Sequence, residues 1–217
     1  MKRFAQLVSI LALWLVRQEW FELRDRLVQV YKSHNGDFAG CPSILAQQLL
    51  ISGEDHRFFR HGGIDLIAIC RAVWHGVVFQ RREGASTIEM QVVRVVSQRY
   101  ERTIQRKVRE MALATLVTRV IPKEALPAIY LRLGYFGWRM NSFAAARRCI
   151  GVYPALLTPL ETARLVARLK YPQPHNVSVH RRAQIDVRAR HLLQLYVRHR
   201  NDHTYLGLMT QSAYAPV

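Results

Sequence analysis

The amino-acid sequence predicts an all-α fold. Apolar residues recur at helical spacing along much of the chain, and several segments open with the Ser, Asp or Pro signals that begin helices. No alternating strands bounded by hairpin turns occur. Because 217 residues, about half of them apolar, can bury one core, we expect a single compact helical domain.

The N-terminal segment combines a basic start with an apolar run over 4–16, which Arg17 ends. This run is shorter than the about 20 residues that span a bilayer, although continuation through Trp20 and Phe21 makes a short or tilted anchor. The alternative is a helix that lies on the membrane or packs on the core. We therefore expect residues 1–21 to be a membrane anchor or an interfacial helix. If they insert, the basic start stays cytoplasmic and the rest of the chain lies outside.

Two helices are predicted around Glu54. The first starts near Ser43, behind Pro42, and runs toward Glu54. The second is capped by Asp65 and carries apolar residues that include Cys70, which we interpret as a small core residue.

A third helix is expected to begin at Ser86, because Ser86 and Glu89 have the spacing of a capping box. Residues 81–84 precede it as a charged loop. A long fourth helix follows, and its predicted apolar stripe is Ile104, Val108, Met111, Leu116 and Val120.

Proline marks the next helix. Pro122 is placed to open it, but Pro127 removes a backbone donor, so we expect either a kink or a later start. Its predicted inner face is Leu126, Ile129, Tyr130 and Leu133. Two more helices are expected over 159–169 and 181–197, and the tail over 201–217 has no clear periodicity.

The charge balance points to a polyanionic partner. The chain has 32 basic and 15 acidic residues, for a net charge of +17, and most of the basic residues are arginine. Arginine grips phosphate bidentately, which suits nucleic acid, anionic lipid or pyrophosphate. Three distant cysteines signal neither a disulfide framework nor a zinc site.

Four clusters of polar and glycine residues occur in order. The first runs from Glu54 to Asp65 (EDHRFFRHGGID) and the second from Gly84 to Gln91 (GASTIEMQ). The third is Arg106 to Glu110 (RKVRE), and the fourth covers 123–137. As a set they resemble the family 51 glycosyltransferases, the glycan-polymerising domain of bifunctional penicillin-binding proteins and of monofunctional relatives. We expect this domain to cover 43–197.

The resemblance implies a bilobal, lysozyme-like helical domain that polymerises lipid II into glycan strands, with inversion and release of polyprenyl pyrophosphate. Glu54 matches the family's catalytic base, which accepts the proton of the acceptor's 4-hydroxyl. Glu110 matches its second important glutamate. The family motif around Glu54 also includes Asp55, Phe58, His61 and Gly62.

Cations and helix-start residues are the candidates for binding the leaving pyrophosphate. Arg102 and Arg106 are four residues apart, so on one helix they would lie about 6 Å from each other. The complete predicted substrate-binding set is Ser86, Thr87, Gln91, Arg94, Arg102, Arg106 and Lys107.

Several of these residues also have structural interpretations. Ser86 and Glu89 are explained equally well by helix capping, and His61 by a bond to the loop backbone beside Gly62. Glu110 forms a ready i, i+4 salt bridge with Arg106. A solvated or lipid-facing basic surface is expected of Arg181, Arg182, Arg188 and Arg190.

The sequence departs from the family pattern at a few positions. Met90 stands in place of the first of two glutamines, and Glu89 in place of a common Thr. Arg132 replaces a frequent Asn, and Cys149-Ile150-Gly151 replaces Tyr-Phe-Gly. No transpeptidase motif is present, so a monofunctional enzyme is expected.

Two other functional classes remain open. A lysozyme-like muramidase or lytic transglycosylase would cleave glycan with one acidic Glu, but it needs no cations for pyrophosphate. A degenerate relative would bind lipid II without catalysis. A nucleic-acid partner is not expected, because no recognised motif accompanies the arginines.

We expect no intrinsic cofactor or metal site, although Mg or Mn can bind together with the substrate pyrophosphate. The expected partners are lipid II, the growing glycan, an anionic membrane surface and cell-wall synthesis proteins. The expected location is the bacterial cytoplasmic membrane, with the catalytic domain on its extracytoplasmic face.

Overall fold

The computed structural model describes residues 2–36, 41–80, 84–151, 157–202, 204–205 and 208. In these ranges the regular structure is helical, and isolated bridges from Gly137 to Met140 and Gln173 are the extended pairing present. The predicted all-α class is confirmed. Residues 81–83 of the expected loop and most of the 201–217 tail lie outside the described residues.

The α-helices, in chain order, are α1 (Lys2–Gly36), α2 (Ile44–Glu54), α3 (Leu66–Phe79), α4 (Ile88–Ser97), α5 (Ile104–Val117), α6 (Leu126–Leu133), α7 (Phe143–Cys149), α8 (Pro159–Ala167) and α9 (Val179–Asn201). Short 3₁₀ helices cover Phe58–Arg60 and Lys123–Ala125.

The chain divides into two compact units, as expected of a bilobal domain. The first unit comprises Met1–Lys32 and Arg57–Leu126, and the second comprises Ser33–His56 and Pro127–Val217. Each unit has its own set of packed helices: α4 packs on α5 in the first, and α2, α8 and α9 pack together in the second.

Helix α1 leaves helical geometry at Val16, where φ is −127° and ψ is 26°. From that point its side chains Val16, Trp20, Leu23 and Leu27 are buried. This half of α1 therefore packs against protein, while the anchor hypothesis for residues 1–21 stays a prediction. No helix in the described part of the chain combines the length and hydrophobicity of a membrane span.

Helix α3 forms where Asp65 predicts it, because the Asp65 carboxylate accepts the N–H groups of Ile67 and Ala68 at 3.0 and 3.1 Å. None of its residues is buried. Cys70 is exposed, so its interpretation as a core residue is wrong. The apolar pattern of this helix is real, but no described element covers it.

Helix α5 is shorter than its apolar pattern suggests. Ile104 and Val108 are exposed, and Val120 lies beyond the helix end. The predicted stripe is therefore wrong in its first half. The buried side chains come from the last two turns, which include Leu113 and Leu116.

The position of Pro127 in the second unit explains where α6 begins. A 3₁₀ turn occupies 123–125 and α6 begins only at Leu126, so the later start is confirmed. Pro127 then lies in the first turn, where no intrahelical donor is lost. Leu126 and Ile129 are buried as predicted, but Leu131 takes the place expected for Tyr130 and Leu133.

Candidate active site

Glu54 is the last residue of α2. The helix starts as predicted, with the Ser43 hydroxyl accepting the Ala46 N–H at 3.3 Å, and it ends because Asp55 leaves helical geometry. Leu49, Leu50 and Ile51 anchor it in the core. The Glu54 side chain is 26% exposed, so packed helix holds its backbone while its carboxylate reaches solvent.

Arg188 of α9 contacts the end of α2. Its Nη2 donates to the Gly53 carbonyl at 2.9 Å and to Glu54 Oε1 at 3.1 Å. The side chain is 12% exposed, so the prediction that Arg188 belongs to a solvated surface is wrong. No local pattern signals this contact, because the two residues are 134 positions apart.

The remaining motif residues divide between the two units. Asp55 is buried at the end of α2, and its N–H donates to the Ile51 carbonyl at 2.9 Å. In the first unit, Phe58 is fully buried, and His61 Nδ1 accepts the Gly63 N–H at 3.3 Å. The predicted bond from His61 to the loop backbone is therefore confirmed.

Gly63 explains part of the glycine pair that follows His61. Its φ is +106°, and a Cβ built on it would lie 2.4 Å from the Ala114 carbonyl oxygen. Only glycine fits both the backbone conformation and this contact. A Cβ on Gly62 meets nothing within 4 Å.

The N-terminus of α4 is capped by Thr87, not by Ser86. The Thr87 hydroxyl accepts the Met90 N–H at 3.3 Å and donates to the Gly63 carbonyl at 2.7 Å. The predicted capping box is wrong, since Glu89 is fully buried and binds Lys123 Nζ at 2.8 Å. The local spacing assigns the Glu89 carboxylate to the cap, but this carboxylate instead forms an ion pair with Lys123, 34 residues away.

Lys123 links three parts of the first unit and is absent from the predicted site. Its ammonium group donates to the His61 carbonyl and to Glu89, and it lies 4.6 Å from the centre of the Phe58 ring. Its position in the fourth motif cluster is the sequence signal for this role. The contacts hold the loop after Phe58 against α4.

Glu110 is the centre of the cationic cluster, which consists of Arg94, Arg106, Lys107 and Glu110. Arg94 binds its carboxylate bidentately at 3.1 and 2.8 Å, Arg106 binds through Nη1, and Lys107 Nζ lies 3.3 Å away. The predicted pairing of Glu110 with Arg106 is confirmed. Lys107 also donates to the Ser86 hydroxyl at 2.8 Å, which brings Ser86 to the cluster.

Burial and charge oppose each other in this cluster. Burial alone would raise the pKa of the Glu110 carboxyl, but hydrogen bonds from Arg94 and the charge of Lys107 hold that pKa below its usual value. Burial, helped by the charges of Arg94 and Arg106, lowers the pKa of Lys107 although Glu110 acts in the opposite direction. Three cations against one carboxylate leave the cluster net positive.

Arg102 does not join the cluster. Thr103 caps α5, its hydroxyl accepting the Arg106 N–H at 3.2 Å, so Arg102 precedes the helix and is exposed. The expected helical face shared by Arg102 and Arg106 is therefore wrong. Gln91, another predicted binding residue, is buried in α4.

A cavity of about 190 Å³ opens beside the cluster within the first unit. Its walls include Arg94, Arg106 and Glu110, and also Glu19 of α1. Arg99 and Arg109 each donate to Glu19 at 3.0 Å. No local sequence pattern links Glu19 to Arg99 and Arg109, because α1 meets these arginines only through packing.

The structure shows the surroundings of two residues that depart from the family pattern. Met90 is fully buried among the core side chains of α4. Arg132 donates to the Ser33 carbonyl at 3.2 Å in the second unit.

The surroundings of Glu110 do not fit a metal ligand. Both of its oxygens accept bonds from cationic side chains, which a divalent ion would have to displace against their positive charge.

Comparison with known proteins gives consistent matches. The model of the transglycosylase family matches residues 28–196. Penicillin-binding protein 1A of Rickettsia felis is 34% identical over 140 residues, which make up 62% of this chain and 18% of that protein. Penicillin-binding protein 1A of Neisseria gonorrhoeae is 34% identical over 143 residues, 65% of this chain and 17% of that protein. The chain thus spans less than a fifth of the length of these relatives.

Proposed function

The chain belongs to the transglycosylase family, and on that premise we propose that it is a peptidoglycan glycosyltransferase that polymerises lipid II. The observation that carries the proposal is Glu54: a carboxylate fixed at the end of a packed helix, partly exposed, and bonded to an arginine. An ionised carboxylate is the form that binds a guanidinium most strongly. That form accepts a proton, as a general base must.

We assign Glu54 the role of general base in an inverting displacement. The 4-hydroxyl oxygen of the acceptor sugar bonds to the anomeric carbon of the donor, and Glu54 takes the hydroxyl proton. The bond from the anomeric carbon to the pyrophosphate breaks, and its electron pair leaves with the polyprenyl pyrophosphate. Attack opposite the leaving group inverts the anomeric carbon.

The cationic cluster supports the pyrophosphate part of the proposal. Arg94, Arg106 and Lys107 keep about a sixth to a third of their side-chain surface exposed while they bind Glu110. Because these cations are already fixed in position and leave the cluster net positive, they can stabilise the negative charge that develops on the leaving diphosphate. Glu110 then acts by holding the cations, not by transferring a proton.

A membrane surface is the proposed location, on the extracytoplasmic face of the cytoplasmic membrane. Its support is α3, which exposes a set of large apolar side chains: Leu66, Ile67, Val73, Trp74, Val77, Val78 and Phe79. A patch of this kind, on a chain with a net charge of +17, suits the interface of an anionic bilayer. Replacing Trp74 and Val77 by Ser should weaken co-sedimentation with phosphatidylglycerol vesicles, whereas unchanged binding would contradict this location.

The decisive test incubates the purified full chain with lipid II in detergent and, separately, with intact sacculi. We expect polymer from lipid II and no soluble fragments from sacculi. Glu54→Gln should reduce polymerisation by about 10²- to 10⁴-fold, the range for a lost general base. Glu22→Gln, which removes an exposed glutamate from α1, is the matched control and should keep the parent rate.

Three results would contradict different parts of the proposal. Fragments from sacculi without polymer from lipid II would favour a muramidase or lytic transglycosylase. Binding of lipid II without any product would favour a non-catalytic relative. A Glu54→Gln variant as fast as the parent would remove Glu54 as the base.

A further inference from the structure

The end of α2 creates an electrostatic problem for Glu54. The last carbonyl groups of a helix lack intrahelical partners and carry partial negative charge. A carboxylate at this end is therefore unfavourable, and α2 has no basic residue in its last turn. The compensating charge has to come from another element.

Helix α9 supplies it through Arg188. The same nitrogen, Nη2, donates to the Gly53 carbonyl and to Glu54 Oε1, so one guanidinium satisfies an end carbonyl of the helix and the side chain beside it. Three buried residues, Ile185, Ala189 and Leu192, fix α9 around this arginine. The helix that carries Arg188 is therefore fixed by the core of the second unit.

Gly53 makes this approach possible. A Cβ built on Gly53 would lie 2.3 Å from Leu192 Cδ2 and 3.0 Å from Arg188 Nη2. Leu192 is almost fully buried and has little room to move. The glycine therefore serves close helix packing, which brings Arg188 to the end of α2.

We infer that Arg188 is a positioning residue for Glu54, which holds the carboxylate in the orientation that accepts the acceptor's proton. The inference rests on the proposed function of Glu54 as base. A carboxylate offers about four acceptor sites, so one bond from Arg188 is compatible with acceptance of a proton. Because the same guanidinium also binds the Gly53 carbonyl, its position relative to the end of α2 is fixed together with that of the Glu54 carboxylate.

The test compares four full-length proteins in the lipid II assay: the parent, Arg188→Met, Arg188→Lys and Arg190→Met. Arg190 is the matched control, since it lies on the same helix, is exposed and loses the same charge. We expect Arg188→Met to lower kcat by up to about 100-fold with KM within about 2-fold, because misplacing a reacting group affects the chemical step. Arg188→Lys keeps the charge but lacks the planar guanidinium, so its kcat should lie between those of the parent and Arg188→Met.

Thermal unfolding of the variants shows whether Arg188 only stabilises the end of α2 or also positions Glu54. If Arg188→Met is too unstable to assay, Arg188→Gln carries the test, because it removes the charge and keeps an amide donor. A kcat for these variants equal to that of Arg190→Met, or a change in KM alone, would overturn the inference while leaving Glu54 as base. A parent that makes no polymer would instead overturn the proposed function, and this inference with it.

Discussion

Glu54 and Glu110 both accept hydrogen bonds from arginine, but their surroundings differ. Glu110 is 3% exposed, and its two oxygens accept bonds from Arg94, Arg106 and Lys107. Glu54 is 26% exposed and is bonded to Arg188 through Oε1. The Glu110 carboxylate holds the cations, whereas the Glu54 carboxylate remains accessible to solvent. Two glutamates of one family motif set are thus suited to different tasks.

The largest expected effect that tests this difference is on stability. Glu110→Gln should lower the free energy of unfolding by about 3 kcal/mol, near the low end for breaking a buried ion pair, because its three cations stay partly solvated. Glu54→Gln should change it by less than about 1 kcal/mol, since Gln still accepts from Arg188. Urea unfolding of both variants measures the difference. Equal losses would mean that the two carboxylates are structurally equivalent.

The pH dependence of stability sharpens the same comparison. Since the pKa of Glu110 is lowered in the folded protein, its stabilising contribution is complete above its ordinary value of 4.5 and is lost as pH falls through the lowered value. The stability difference between the parent and Glu110→Gln should therefore shrink below about pH 4.5. Asp65 and Glu161, whose pKa values are also lowered, are common to both proteins and cancel. A difference that stays constant on acidification would contradict the account of the cluster.

The smallest expected effect concerns the boundary of the cationic cluster. Arg102→Ala should change the free energy of unfolding by less than about 0.5 kcal/mol, because Arg102 is exposed and precedes α5. Arg106→Ala, four residues on, should cost about 1.5 to 3 kcal/mol through its bond to Glu110. The pair of variants, measured by urea unfolding, serves as its own control. Similar losses at the two positions would place Arg102 inside the cluster.

Features that depend on short sequence distances were predictable. The caps at Ser43 and Asp65, the late start of the helix with Pro127 and the bond between Arg106 and Glu110 all follow from spacings of a few residues. Their geometry is fixed as soon as the local helix forms. The errors at Ser86 and at Arg102 are also local: α4 is capped one residue after Ser86, and α5 begins after Arg102, which was expected inside that helix.

The exposure of α3 shows a different limit. Its apolar pattern predicts a helix, and the helix is present, but the pattern does not tell whether protein or another apolar phase covers it. Cys70 was assigned to the core for this reason.

The helical class, most helix starts and the family motifs followed from the sequence alone, which also indicated Glu54 and Glu110 as candidate carboxylates. Packing of the helices established three contacts between distant residues: Arg188 with Glu54, Lys123 with Glu89, and Glu19 with Arg99 and Arg109. These differ from caps and i, i+4 pairs, because caps and such pairs are set by the backbone of one helix. A contact over 134 residues exists only after helices pack closely, as Gly53 allows α9 to do.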